Sequence, residues 1–129
     1  MPGASEAELA AAEARLGVRF PAALRELLAA ENGFQRWYGK VFVWVYDVAT
    51  LVESTEMIED HPGLLIFGTD GGRERFGVDL RRPEPPGPPV VMVDITSEGW
   101  DEALAQAPSL ADFLVQRERG EPLRHDSGH

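Results

Sequence analysis

The stretch from Leu64 to Leu80, LLIFGTDGGRERFGVDL, constrains the fold more than any other part of the chain. An apolar run leads into an aspartate and paired glycines, and a second run follows in which apolar and polar residues partly alternate. That order writes a β-hairpin: the apolar positions need the cover of a sheet, and the Asp-Gly pair supplies backbone shapes that a tight turn demands. The rest of the chain must pair with this hairpin or pack on it.

Upstream, Ser5-Glu6-Ala7-Glu8 is a capping box, so a helix begins there, with Leu9, Ala12 and Leu16 at helical spacing and Gly17 to stop it. Pro21 suits the start of a second helix, whose stripe is Leu24, Leu27 and Leu28 and whose end is Asn32-Gly33. Phe34 to Lys40 reads as a loop carrying Trp37 and Tyr38. Val41 to Tyr46 is a run of six β-formers, with Phe42, Trp44 and Tyr46 on one face and Val41, Val43 and Val45 on the other. With both faces apolar it reads as a central strand covered on both sides; the alternative is that its aromatic face lines a groove or meets a partner. Asp47 caps a helical segment in which Val48, Leu51, Val52, Met57 and Ile58 form one amphipathic helix or two short ones, and His61-Pro62-Gly63 breaks the chain before the hairpin.

Downstream, the Pro-rich stretch 81–89 is a stiff connector; its P-x-x-P spacing could serve as a ligand for an SH3 domain, but a solvent loop between strands explains it more simply. Val90 to Ile95 is a strand, Trp100 to Ala107 a short helix, and Pro108-Ser109 opens a last helix with Leu110, Phe113 and Leu114 inward and Asp112 completing a second capping box. From Gly120 the charged tail shows no anchor. Residues 1–119 are therefore expected as one domain and 120–129 as a mobile tail.

Length and charge narrow the function. A chain of 129 residues fits one domain, and no apolar run approaches the roughly 20 residues that span a bilayer. The opening MPGASEAEL lacks the basic and apolar segments of a secretory signal. The absence of cysteine removes disulfides and thiolate chemistry and fits a reducing cytoplasm. A net charge of −10 repels phosphate backbones, which argues against direct nucleic-acid binding, and attracts a basic protein; it also serves solubility alone.

No catalytic apparatus emerges. Gly68, Gly71 and Gly72 match neither a Walker loop nor a dinucleotide fingerprint, and His61, His125 and His129 have no spacing suited to a metal site or a nucleophile–base pair. Asp70, Glu74, Asp79 and Asp94 could ligate a hard cation if they converged. Yet Asp70 is the expected residue of its turn, Arg73 and Arg75 neutralise their neighbours, and no helix-loop-helix calcium pattern is present. The expectation is a chain that is not an enzyme and has no metal or cofactor, with Trp37, Tyr38, Trp44, Asp70, Arg73, Glu74, Arg75 and Asp79 as candidate partner- or ligand-binding residues. The alternative is a small-ligand or metal-binding domain that uses the Gly-rich hairpin and the aromatic groove beside it.

Two stretches taken together resemble a known family. Ala7 to Phe34, with its glutamate-bearing helix, Leu16-Gly17, Pro21, leucine helix and Asn32-Gly33, is similar to the opening of the SUKH superfamily, which includes the fungal Smi/Knr cell-wall regulators. Ile66 to Leu80, with Gly68, Asp70, Gly71, Gly72, Phe76 and Asp79, resembles the same family's hairpin. The pairing, followed by a closing helix over Ser109 to Val115, covers most of the chain in the right order. Arg73-Glu74 depart from the pattern, standing where the family often continues with glycine and a polar residue.

The resemblance implies an α+β fold: a mainly antiparallel sheet of about four or more strands, with two N-terminal helices, a middle helical segment and a C-terminal helix packed against it. It also implies a binding module, either an immunity-like protein that neutralises a bacterial toxin or a regulatory scaffold. The expected partner is a protein, such as a basic toxin domain, with no membrane contact and with the chain itself a monomer or homodimer.

Overall fold

A computed structural model describes residues 2–58 and 60–125. Four α-helices and a six-stranded antiparallel sheet make an α+β fold. In chain order the elements are α1 (Glu6–Leu16), α2 (Ala22–Ala30), β1 (Phe34–Tyr38), β2 (Val41–Val45), α3 (Val48–Met57), β3 (Leu64–Thr69), β4 (Glu74–Asp79), β5 (Val90–Asp94), β6 (Leu104–Ala107) and α4 (Leu110–Glu118), with a 3-10 turn at Trp100–Glu102. Strand order in the sheet equals strand order in the sequence.

The capping box holds: Ser5 Oγ accepts from the Glu8 N–H and Glu8 Oε1 accepts from the Ser5 N–H, each at 3.1 Å. Leu9, Leu24 and Leu28 are buried, and Arg25 of α2 ties back to Glu6 and Glu13 of α1. Asn32-Gly33 then does more than end a helix. The Asn32 side chain accepts from the Val48 N–H, and Gly33 adopts φ +88°, so close to Asp47 that a Cβ would collide with its backbone. The start of α3 is thereby fixed to the end of α2, while Asp47 Oδ1 caps α3 through the Thr50 N–H at 2.8 Å.

Three expectations are corrected. Residues 34–38 form an edge strand, not a loop, paired along their whole length with β2 from Phe34↔Val45 to Tyr38↔Val41. The strand is one arm of a tight hairpin, joined to β2 by Gly39, at φ +64°, and Lys40, and the exposed Gln35 and Arg36 interrupt the apolar pattern that would mark it. Residues 104–107 pair with β5 as β6, so only Trp100–Glu102 of the predicted short helix is helical. Finally, β2 is second from the edge, and Trp44 is 38% exposed, so the strand is covered on one side only.

The covered side is the core. Register places Val43 and Val45 of β2, Leu65 of β3, Phe76 and Val78 of β4, and Val90 and Met92 of β5 on one face, all buried. Phe113 of α4 meets Phe76 with ring centroids 5.1 Å apart and Phe67 at 6.0 Å, so α4 lies on this face. Gln106 of β6 exchanges two hydrogen bonds with the Arg124 backbone, at 2.7 and 2.9 Å, which supplies residues 121–125 with an anchor that charge patterning does not reveal. The predicted tail from residue 126 onward lies outside the described residues.

The hairpin forms as its sequence predicts, with β3 and β4 joined by residues 70–73. Asp70 Oδ1 accepts from the Gly72 and Glu74 N–H groups, the turn role expected of it. Gly68 sits directly against the Trp44 carbonyl oxygen, where any Cβ would clash, so glycine is what lets β2 approach β3. That approach is short, limited to Trp44↔Thr69 and Val45↔Gly68. Below it α3 takes over: the Thr55 hydroxyl accepts from the Ile66 N–H at 3.0 Å and donates to the Ile66 C=O at 3.4 Å, pairing β3 on the side that the β2 pairing does not extend to. Met57, expected in the buried stripe of α3, is 83% exposed.

Candidate functional site

The face opposite α4 is partly open. Cross-strand register runs Gln35↔Trp44↔Thr69↔Arg75↔Val93 across β1 to β5, and Trp37↔Phe42 lies one row toward the hairpin tip. Directly opposed residues of an antiparallel sheet share a face, so these side chains form one surface. Trp37 is 68% exposed and tilts against Phe42 with centroids 5.2 Å apart. Trp44 stands edge-on to Tyr46 at 5.4 Å. Arg75 is held at the tip by the Thr69 hydroxyl and the Gly72 and Glu74 carbonyls, at 3.0–3.3 Å.

Beyond Tyr46 this surface sinks into a cleft of about 380 Å³ between the end of α3, the segment before β3 and the turn after β5. Tyr46, Ile58, Ile66 and Val93 give it apolar walls, and Asp60, Arg75, Asp94 and Ser97 are polar groups around it. Met57 and Ile95, the latter 55% exposed, also line it. Its floor includes His61, which is 2% exposed. His61 Nε2 lies 2.9 Å from Ser97 Oγ, and Ser97 Oγ donates to the Gly99 carbonyl at 3.2 Å. With the hydroxyl proton so used, Nε2–H is the donor to Ser97 and Nδ1 is left as a buried acceptor with no partner among the described residues.

A chain of contacts holds this corner. The Asp79 carboxylate is buried and accepts from the Arg81 backbone N–H, Nε and Nη2 at 2.9–3.1 Å. The Arg81 guanidinium stacks 3.6 Å from the Trp100 ring centroid, Trp100 Nε1 donates to the Pro62 carbonyl, and its ring meets His61 edge-on at 5.7 Å. Asp79 at the far end of β4 thus fixes the wall of the cleft from behind.

The structure sorts the candidate residues accordingly. Trp37, Trp44 and Arg75 share the open face. Tyr38 and Glu74 belong by register to the α4 face, and both are half-buried. Asp70 and Arg73 are at the hairpin tip, and Asp79 faces Arg81 and Arg82. The hairpin carboxylates do not converge: Asp94 accepts from the Thr96 hydroxyl and N–H and pairs with Arg73, and these donors, Thr96 foremost, hold its carboxyl down to about 2. Glu74 shifts the other way, raised by burial and by the charges of Asp94 and Asp70. Among the described residues no group of histidine, aspartate and glutamate is arranged to hold a metal ion.

Sequence reasoning missed His61, Ser97 and Trp100 as a group, because they come from separate loops that only the sheet brings together. The His-Pro-Gly break was the one local sign, and it reads equally as a turn.

The molecule is thus an α+β domain with one helix-covered sheet face and one partly open aromatic face. The chain belongs to the SMI1 / KNR4 family (SUKH-1), whose family model matches residues 3–116. No curated protein matches the chain. Among the described residues no helix is long and apolar enough to cross a membrane.

Proposed function

We propose that this chain is a non-enzymatic, cytoplasmic protein-binding domain, an immunity-like protein that neutralises a bacterial toxin or a related regulatory scaffold. The observation that supports it is the open sheet face, where Trp37 and Trp44 present exposed aromatic area on rigid strands next to a cleft. Exposed tryptophans on a pre-formed surface are the residues from which interface hot spots are made. The net charge of −10 accelerates encounter with a basic partner and disfavours nucleic acid.

The test is calorimetry against basic toxin domains of the kind that immunity proteins neutralise, for the native protein and for the Trp37→Ala/Trp44→Ala double variant. Native protein should bind more weakly as salt rises, and the double variant should lose about 100-fold or more in affinity, the scale of two hot-spot truncations. Equal affinity in both proteins would remove the open face from the reading.

A small-ligand reading is favoured by the cleft volume alone, which falls in the range of ligand pockets. It requires a ligand-dependent rise in melting temperature, and a melt unmoved by a metabolite panel, Ca²⁺ or Mg²⁺ discards it.

A further inference from the structure

Arg117, near the end of α4, is 2% exposed and forms no ion pair among the described residues. Its guanidinium lies 4.9 Å from the Phe113 ring centroid. Nη2 donates one long bond, 3.4 Å, to the Pro122 carbonyl, while Nε and Nη1 have no acceptor among the described residues. A guanidinium carries five N–H donors and keeps its charge, so burying it with one weak bond costs stability. Burial lowers its pKa; exposed Glu121 favours the cation only at a distance, and Arg124 adds a like charge.

An independent observation concerns the segment that supplies this one acceptor. Gly120, at φ +77°, reverses the chain after α4, and residues 121–125 return to the edge of the sheet. There the buried Gln106 amide holds the Arg124 backbone by both its groups: Nε2 donates to the C=O at 2.7 Å and Oε1 accepts from the N–H at 2.9 Å, the pair of bonds a neighbouring strand would make. Leu123 packs against the core. The seat thus reads backbone and one apolar side chain, and Arg117 is the part of it that Pro122 leaves unsatisfied. The other members of the segment are exposed, so little holds it down. Pro122, Leu123 and His125 also form one wall of a cleft whose other wall includes Trp37 and Phe42, so a protein seated on the aromatic face borders the segment.

We infer that residues 121–125 are a releasable strap lying in a peptide groove, and that an extended segment of the protein partner displaces them, with its backbone on Gln106, an apolar side chain in the place of Leu123 and a carboxylate on Arg117. Release of the strap is what uncovers the guanidinium, and a carboxylate then meets it with two parallel bonds where the strap gives one. The inference rests on the protein-binding reading and names the part of the partner that is held. It asks for one carboxylate, which a basic partner can carry.

The experiment titrates the whole ¹⁵N-labelled chain with the peptide acetyl-Glu-Glu-Leu-Ala-Ala-amide, using as controls the same peptide with glutamine for both glutamates and with serine for leucine. The acidic peptide should shift the Gln106 side-chain amide and the Arg117 Nε–H saturably and carry the Leu123 and Arg124 amides to the positions of a free segment. The glutamine peptide should bind about tenfold more weakly, the scale of a hydrogen bond to a charged group. Leu123→Ser, which loosens the strap in the full chain, should tighten the acidic peptide about threefold or more, because the competing occupant is weaker. Arg117→Met should melt no lower than the native protein, since the cation has no partner to lose, and should bind the acidic and glutamine peptides alike. Equal binding of those two peptides by the native protein, shifts that miss Gln106 and Arg117, an unchanged affinity in Leu123→Ser, or a lower melt in Arg117→Met would each overturn the inference. If they do so while toxin-domain binding still collapses in the Trp37→Ala/Trp44→Ala variant, the protein-binding reading stands without the strap.

Discussion

The two faces of the sheet are built from the same strands and have opposite physical characters. On the α4 side Phe67, Phe76 and Phe113 interlock, each fully buried. On the other side Trp37 and Trp44 remain in contact with solvent next to Arg75 and a cleft. The first face holds the fold, since burying a large aromatic side chain contributes several times what a surface contact does. The second leaves its tryptophans in water, where they contribute little to stability. What separates them is cover, not composition, because both are aromatic-rich.

The sharpest way to break that contrast is to truncate one aromatic on each side. Phe113→Ala should cost about 3–5 kcal/mol of unfolding free energy in a urea titration, whereas Trp37→Ala should stay within about 0.5 kcal/mol of the native protein while weakening partner binding. Comparable losses would mean that the open face is structural after all.

A middle-sized effect is expected at Thr55, where α3 borders β3. Thr55→Val keeps the shape but removes the bonds to the Ile66 N–H and C=O, leaving backbone groups unpaired in a buried strand. The expected loss is about 1–3 kcal/mol by chemical denaturation, with faster amide exchange at Ile66 as the local signature.

The smallest effect is Glu74→Gln. Burial and the neighbouring charges of Asp94 and Asp70 raise the Glu74 pKa in the folded state above its unfolded value. Below the unfolded pKa the group is protonated in both states and costs nothing; as pH rises through the folded pKa the fold must accept the charge and loses stability. The glutamine variant should therefore melt slightly higher than the native protein at pH 7, with the gap closing in acid. A variant that melts lower at pH 7 would show that the carboxylate is stabilised by contacts on the α4 side.

Legibility in the sequence followed the range of the interactions. The Ser5–Glu8 box, the Asp47 cap and the Leu64–Leu80 hairpin are local devices, with partners within a few residues, and each was readable from spacing. β1 was not, because Gln35 and Arg36 interrupt its aromatic β-formers, and β6 was not, because LAQA has little strand character of its own and is a strand only through β5. The candidate site divided in the same way. Trp37, Trp44 and Arg75 could be named from residue type, while Asp79, named with them as a candidate partner- or ligand-binding residue, is buried against Arg81. The His61–Ser97 pair, separated by 36 positions, left no trace in any window.

The strand order, in which every neighbour in the sheet is also the neighbour in sequence, bears on how the molecule assembles. No β-pairing has to skip an intervening strand, and the longest connection closed is the segment 46–63 that carries α3, so the loop-closure cost stays modest. The sheet can grow hairpin by hairpin, outward from β3 and β4, and speed is then limited by docking of the helices rather than by search for register. A sheet assembled this way can vary its outer strands, including β1 with Trp37, without disturbing the step that starts its folding.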